Sequence, residues 1–323
     1  MSRHPTHPLE GAFVIRKRNR FLLKLKTDNW KLLKNMPIHT QDYRHWEGTL
    51  NPNHYTRWWI ITKAELKLLA QRKIVRLIVA IPPAIYIVVH AVLIYIQNQF
   101  PETAFLFNID NEFFQKFLFR NPGTGPPTSF LIALIAIFGG SGLIATDLKN
   151  NTLAVYLSKP ISWIDYLIGK FAVIGILLGF LTVVPGLLLF LEQALLADVS
   201  FLKENYWVPF PIIAYSALLI LSASLLMLLF SSLTSNPRYA TIGFCAVWFG
   251  SPAIQELLKV ITRTSKTAVV SLWANYEILG SVLFDGSQSH AVHWAWSLLT
   301  VLALMVLCLF VLHRRIRAVE IVK

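Results

Sequence analysis

Residues 171–191 read FAVIGILLGFLTVVPGLLLFL, twenty-one consecutive positions without a charge. A helix needs roughly 20 apolar residues to cross a hydrocarbon core. A charge at the bilayer centre costs about 2.5–3.5 kcal/mol on insertion scales, so a run of this length predicts a membrane-spanning helix. Outward from it, charge-free runs recur at 77–101, 121–146, 205–237, 239–255 and 286–313. The run at 239–255 is the shortest, and Leu257 and Leu258 extend its apolar character. The pattern predicts an all-α polytopic membrane protein with six transmembrane helices, at about 77–97, 128–146, 169–191, 208–231, 239–258 and 292–312. Composition agrees, since the 323 residues are 55% hydrophobic and only 15% charged, where a soluble domain has about 25% charged. Cys245 and Cys308 fall inside predicted spans and read as small core residues, not as a disulfide or a metal site.

With six spans, both termini share one side of the membrane, and that side carries 24 of the 30 Lys and Arg residues. Arg72, Lys73 and Arg76 abut the first span, and Arg314, Arg315 and Arg317 abut the last. The excess of positive charge predicts that both termini are cytoplasmic, in a multi-pass protein of the plasma or inner membrane. The net charge of +13 reflects this topology and not nucleic-acid binding. The first 76 residues hold sixteen of the basic residues and show no apolar signal core.

Residues 1–56 form a basic N-terminal extension, expected in the cytoplasm, with an amphipathic pattern from Phe21 that suits an anionic membrane surface or cytoplasmic protein. Residues 37–56 read as a linker, and 57–323 as the six-span domain. At 57–73 the pattern predicts an interfacial helix whose Trp58 and Trp59 suit the headgroup region. Pro82 and Pro83 should kink the span that follows or shift its start. The external connection 97–127 contains Asn111 to Arg120, four phenylalanines among few charges, and predicts a helix at the outer surface. Residues 259–291 predict short helices that dip into or lie on the outer leaflet. Gly139, Gly140 and Gly142 allow close helix approach, and Gly175 and Gly179 stand at a spacing that serves packing within one subunit or between two.

Reactive chemistry is missing from the chain. No H-E-x-x-H, G-x-S-x-G or paired-cysteine motif occurs, so no catalytic residue and no metal site is expected. Gly169-Lys170 lacks the rest of a Walker A loop, so the chain itself should bind no nucleotide. His90 reads as a packed or interfacial histidine, and the lack of charge deep in the spans argues against an ion-coupled pump.

The segment from Gly142 to Lys170 carries the most specific pattern. It contains Asp147, then Thr152-Leu153, then Leu157-Ser158-Lys159-Pro160-Ile161-Ser162, and finally Gly169-Lys170. This resembles the membrane subunits of type-2 ATP-binding-cassette exporters, in which an acidic residue, a Gly-Thr-Leu element, a Leu-Ser/Thr-x-Pro-Ile/Val-Ser element and a Gly-Lys pair follow one another. Asn151 stands where glycine is usual and can still adopt a left-handed turn. Trp163 replaces a frequent arginine, so the salt bridge of that arginine is not expected.

The resemblance covers the chain from residue 57 onward. It implies that 57–73 is an elbow helix, with Trp58, Trp59, Glu65 and Arg72 at its interface, and that a cytoplasmic coupling helix lies between spans 2 and 3. It further implies that Asp147, Thr152, Leu153, Tyr156, Leu157, Lys159, Pro160, Trp163, Asp165 and Tyr166 couple the chain to separate ABC ATPase subunits, which bind ATP and Mg. A physical reading agrees: Tyr156, Trp163 and Tyr166 among charges can act as aromatic anchors in a partner's groove. The expected partners are those ATPases, a second copy or a related permease, and membrane lipids. The expected function is a permease subunit forming the substrate pathway as a dimer. The rival readings are a nucleotide-independent transporter or channel, and a membrane anchor or assembly factor.

Overall fold

The computed structural model describes residues 57–100, 111–120, 127–152, 161–197, 199–286 and 292–321, all within one compact unit, Asn53–Lys323. Among the described residues, six helical segments are long and apolar enough to cross a membrane, which gives the all-α polytopic class. The amphipathic pattern from Phe21 lies outside the described residues.

Helix α1 (Arg57–Gln71) precedes span 1, which is helix α2 (Lys73–Gln99). Arg72 between them is extended (φ −78°, ψ 115°), so the chain turns at this one residue. The span starts ahead of Pro82 and Pro83 and continues through both as one helix. Helix α3 (Asn111–Phe119) buries Phe114, Phe117, Leu118 and Phe119, as its dense phenylalanines require. The Thr128 hydroxyl donates to the Phe117 carbonyl (2.6 Å) and joins α3 to the next span.

Span 2 is broken. Helix α4 (Thr128–Gly140) gives way to a turn at 141–144, and helix α5 (Ala145–Lys149) completes the segment. A break in apolar surroundings leaves backbone groups that must find partners. Ser231 from a neighbouring span supplies them: its Oγ accepts from the Ile144 and Ala145 N–H groups (3.1 and 3.0 Å) and donates to the Ser141 carbonyl (2.9 Å). Span 3 also has two parts, helices α6 (Trp163–Leu181) and α7 (Val183–Leu196). Pro185 has no N–H for the Leu181 carbonyl, and the regular helix is interrupted at Thr182. The short helix α8 (Val199–Asn205) follows.

Span 4, helix α9 (Pro209–Leu233), is the centre of the bundle and touches spans 2, 3, 5 and 6. Its serines face inward, and Ser216, Ser222, Ser224, Ser231 and Ser232 are all buried. Span 5, helix α10 (Pro237–Thr262), begins with the Asn236 side chain accepting from the Arg238 N–H (3.1 Å). It buries only 17% of its apolar stretch, against 67% for span 2, so most of its surface is left bare. A 3-10 turn (Ser265–Val270) then leads to helix α11 (Leu272–Leu283), which packs among spans 4, 5 and 6 with Tyr276 fully buried. Span 6 belongs to helix α12 (Trp294–Ile321).

Two glycines separate close packing from open surface. A Cβ at Gly140 would lie 2.7 Å from both Ile174 Cδ1 and Met227 Cγ, so spans 2, 3 and 4 meet there at a distance only hydrogen allows. Among the described residues a Cβ at Gly179 would meet nothing within 4 Å, so none of them packs on this position. Gly140→Leu is therefore expected to destabilise the purified protein by about 1–3 kcal/mol, the usual range for overpacking. Gly179→Ala should leave thermal unfolding in detergent unchanged, and equal losses in both variants would contradict the packing described.

Candidate functional site

The site forms where α1 crosses the start of span 3. A Cβ at Gly169 would lie 3.0 Å from the Ile61 Cβ and 3.0 Å from the Trp58 carbonyl oxygen, so glycine permits the two backbones to approach. The buried Thr62 hydroxyl is 3.0 Å from both the Gly169 and Trp58 carbonyls and ties the helices together.

One residue further on, Lys170 is fully buried, at 0% exposure. Its Nζ lies 2.5 Å from Glu65 Oε1 on α1 and 2.7 Å from Asp147 Oδ2 at the end of span 2. The same Asp147 oxygen accepts from the Tyr166 hydroxyl at 2.8 Å. Asp147 Oδ1 accepts from the Thr152 hydroxyl at 3.0 Å. Tyr166 and Lys170 are four positions apart on α6 and share a face, with the ammonium 5.4 Å from the ring centroid.

Three chain segments thus converge on one ammonium. A lone buried charge is strongly unfavourable, whereas an ion pair with its remaining hydrogen bonds satisfied is tolerated. The two carboxylates and one ammonium leave a formal charge of −1, and the Tyr166 and Thr152 hydroxyls donate to the carboxylate that carries the most contacts. Asn151 beside Thr152 has φ 53°, the left-handed turn expected of an asparagine there.

The far side of the connection is fixed separately. The Asp165 N–H donates to the Ser162 hydroxyl (3.1 Å) and the Ser162 N–H donates to Asp165 Oδ2 (3.2 Å), a capping box that starts α6. Trp163 meets His313 of α12 edge to face, with ring centroids 4.4 Å apart.

Of the residues singled out from the sequence, Asp147, Thr152, Tyr166 and Glu65 come together in this network. Trp163 is half-buried against α12, and Asp165 is occupied in the cap. Tyr166 is buried with its hydroxyl engaged, so its ring faces the inside of this chain and not an open surface. Trp58 and Trp59 pack edge to face at 5.7 Å, with Trp59 exposed, and Arg72 is exposed at the junction of α1 and α2. Leu153, Tyr156, Leu157, Lys159 and Pro160 lie outside the described residues. Sequence reasoning read Gly169-Lys170 as the end of the family pattern but gave neither a role in the site, and it did not single out Thr62. The available signal was that Lys170 is the last charge before the run at 171–191, on the same helical face as Tyr166.

A family model described as ABC-2 family transporter protein matches residues 58–315, which includes the whole network. No curated protein matches the chain.

Lys170→Met is expected to leave buried Asp147 facing part-buried Glu65 with no cation between them and to cost about 3–5 kcal/mol, the range for removing one partner of a buried ion pair. Adding Glu65→Gln and Asp147→Asn should recover most of the loss, read by thermal unfolding in detergent. A single variant as stable as the parent would show that the ammonium does not hold these segments.

Proposed function

The chain belongs to the ABC-2 transporter family as a membrane permease component, and we propose that it is half of a dimeric exporter driven by separate ATPase subunits. Those ATPases bind ATP and Mg, and this chain binds neither. They dock on the surface formed by residues 147–166, supported by the elbow helix α1, with both termini in the cytoplasm and the spans in the cell membrane. The second half is another copy or a related permease. The bare faces of spans 5 and 1 support this, since they offer apolar surface to a partner and to lipid.

The observation that carries the reading is the junction of Glu65, Lys170 and Asp147 at the base of the 147–166 segment. A partner that displaces this segment acts at once on the end of span 2, the start of span 3 and α1, because all three share one ammonium. ATP-driven closure of the ATPase pair then moves the spans as rigid bodies, a two-state element biased by nucleotide. Tyr156 and Lys159 supply the contact surface. Trp163, held against His313, transmits displacement to span 6. Tyr166 acts from inside, by holding Asp147.

The test is gentle purification of the tagged chain from its native cells in nanodiscs, with bound proteins identified and ATPase activity assayed. A stoichiometric partner bearing a Walker A motif is expected. Tyr156→Ala with Lys159→Ala should reduce its recovery by about thirtyfold, the effect of losing an interface hot spot, while thermal unfolding of the chain stays intact. A chain that transports without any ATPase would establish the nucleotide-independent reading instead. Recruitment of the partner by residues 1–56 alone would establish an anchor.

A further inference from the structure

A cleft of about 140 Å³ lies between α1 and the end of span 2, beside the ion network but not filled by it. Its polar wall is Glu65 and Asp147, Arg72 stands at its edge, and Leu68, Leu69 and Phe138 provide apolar wall. Leu68 and Phe138 are exposed (56% and 40%), so the cleft is continuous with surface that faces lipid in a membrane. Glu65 spends Oε1 on Lys170, and its Oε2 has no bond among the described residues. The Arg72 guanidinium likewise has none among the described residues. The network behind this wall carries the formal charge of −1 noted above.

The cleft therefore has in its lining a carboxylate with one oxygen unbonded among the described residues, an exposed arginine and two exposed apolar side chains. We propose that it holds the headgroup of a phospholipid bearing a primary ammonium, of the phosphoethanolamine type, from the leaflet on the α1 side. The ammonium donates to Glu65, the phosphate meets Arg72, and the acyl chains leave over Leu68 and Phe138. A choline headgroup has no N–H to donate to the carboxylate. A purely anionic headgroup is drawn by Arg72 but repelled by Glu65 and Asp147 in the same wall. A soluble phosphoethanolamine lacks the apolar contacts. The proposal requires the membrane setting of the chain and not the ATPase partner, so it stands or falls separately from the coupling reading.

The experiment is native mass spectrometry of the full chain, delipidated in mild detergent and titrated with dioleoyl phosphatidylethanolamine, phosphatidylcholine or phosphatidylglycerol. One ethanolamine lipid should bind about tenfold more tightly than either alternative, the effect of one hydrogen bond between charged groups. Arg72→Ala, an exposed change that spares the packing, should weaken that lipid about tenfold, the same size of effect. Glu65→Gln should abolish the preference for ethanolamine over choline. Should that variant fail to fold, Arg72→Glu is read in its place and should abolish retention. Equal binding of choline lipid, stronger binding of glycerol lipid, no change with Arg72→Ala, or equal competition by free phosphoethanolamine would each overturn the proposal.

Discussion

A lysine ammonium removed from water needs negative partners at hydrogen-bond distance, and at Lys170 this requirement organises one end of the molecule. Among the described residues it is paired with two carboxylates on two other segments, α1 and the end of span 2. Neither carboxylate would be comfortable near the other without the cation, and the cation would not be buried without both. The geometry of the whole corner follows. Gly169 brings α1 close enough for Glu65 to reach, Thr62 holds the backbones together, and Tyr166 turns inward to complete the coordination of Asp147.

The spans around this corner are interrupted where they are supported. Span 2 breaks after Gly140, where the hydroxyl of Ser231 takes up the freed backbone groups. Span 3 breaks at Thr182, three residues before Pro185, and the Thr182 hydroxyl donates back to the Leu178 carbonyl at 2.9 Å. At the break in span 2 the side chain of Ser231 makes the interruption tolerable in an apolar setting. The central span 4 is strongly apolar and carries a serine, Ser231, that serves a neighbouring span, while Ser222 and Ser232 donate to carbonyls of their own helix.

The spans were legible in the sequence because hydrocarbon excludes charge from roughly 20 residues at a time, and the charge-free runs register that constraint directly. Their ends were less legible. The run around 171–191 marks the third span, yet its two helices together extend from Trp163 to Leu196, since Lys170 is neutralised within the span instead of ending it. Glu65 and Asp147 were readable as charges in segments of interest, but their meeting at one ammonium depends on tertiary approach across distant parts of the chain. Tyr166 shows the same limit: an aromatic residue among charges suits a docking surface as well as an interior, and only the direction of its ring decides. The unfilled side of Gly179 is another feature that spacing alone leaves open.

The order of the three charges along the chain has a consequence for biosynthesis. Glu65 and Asp147 leave the ribosome before Lys170, so both carboxylates exist by the time the lysine emerges. Synthesis proceeds from the N-terminus, and the ammonium follows an acceptor pair carried by α1 and the end of span 2. Span 3 can then seat its charged first turns as it is delivered, without waiting for the last three spans.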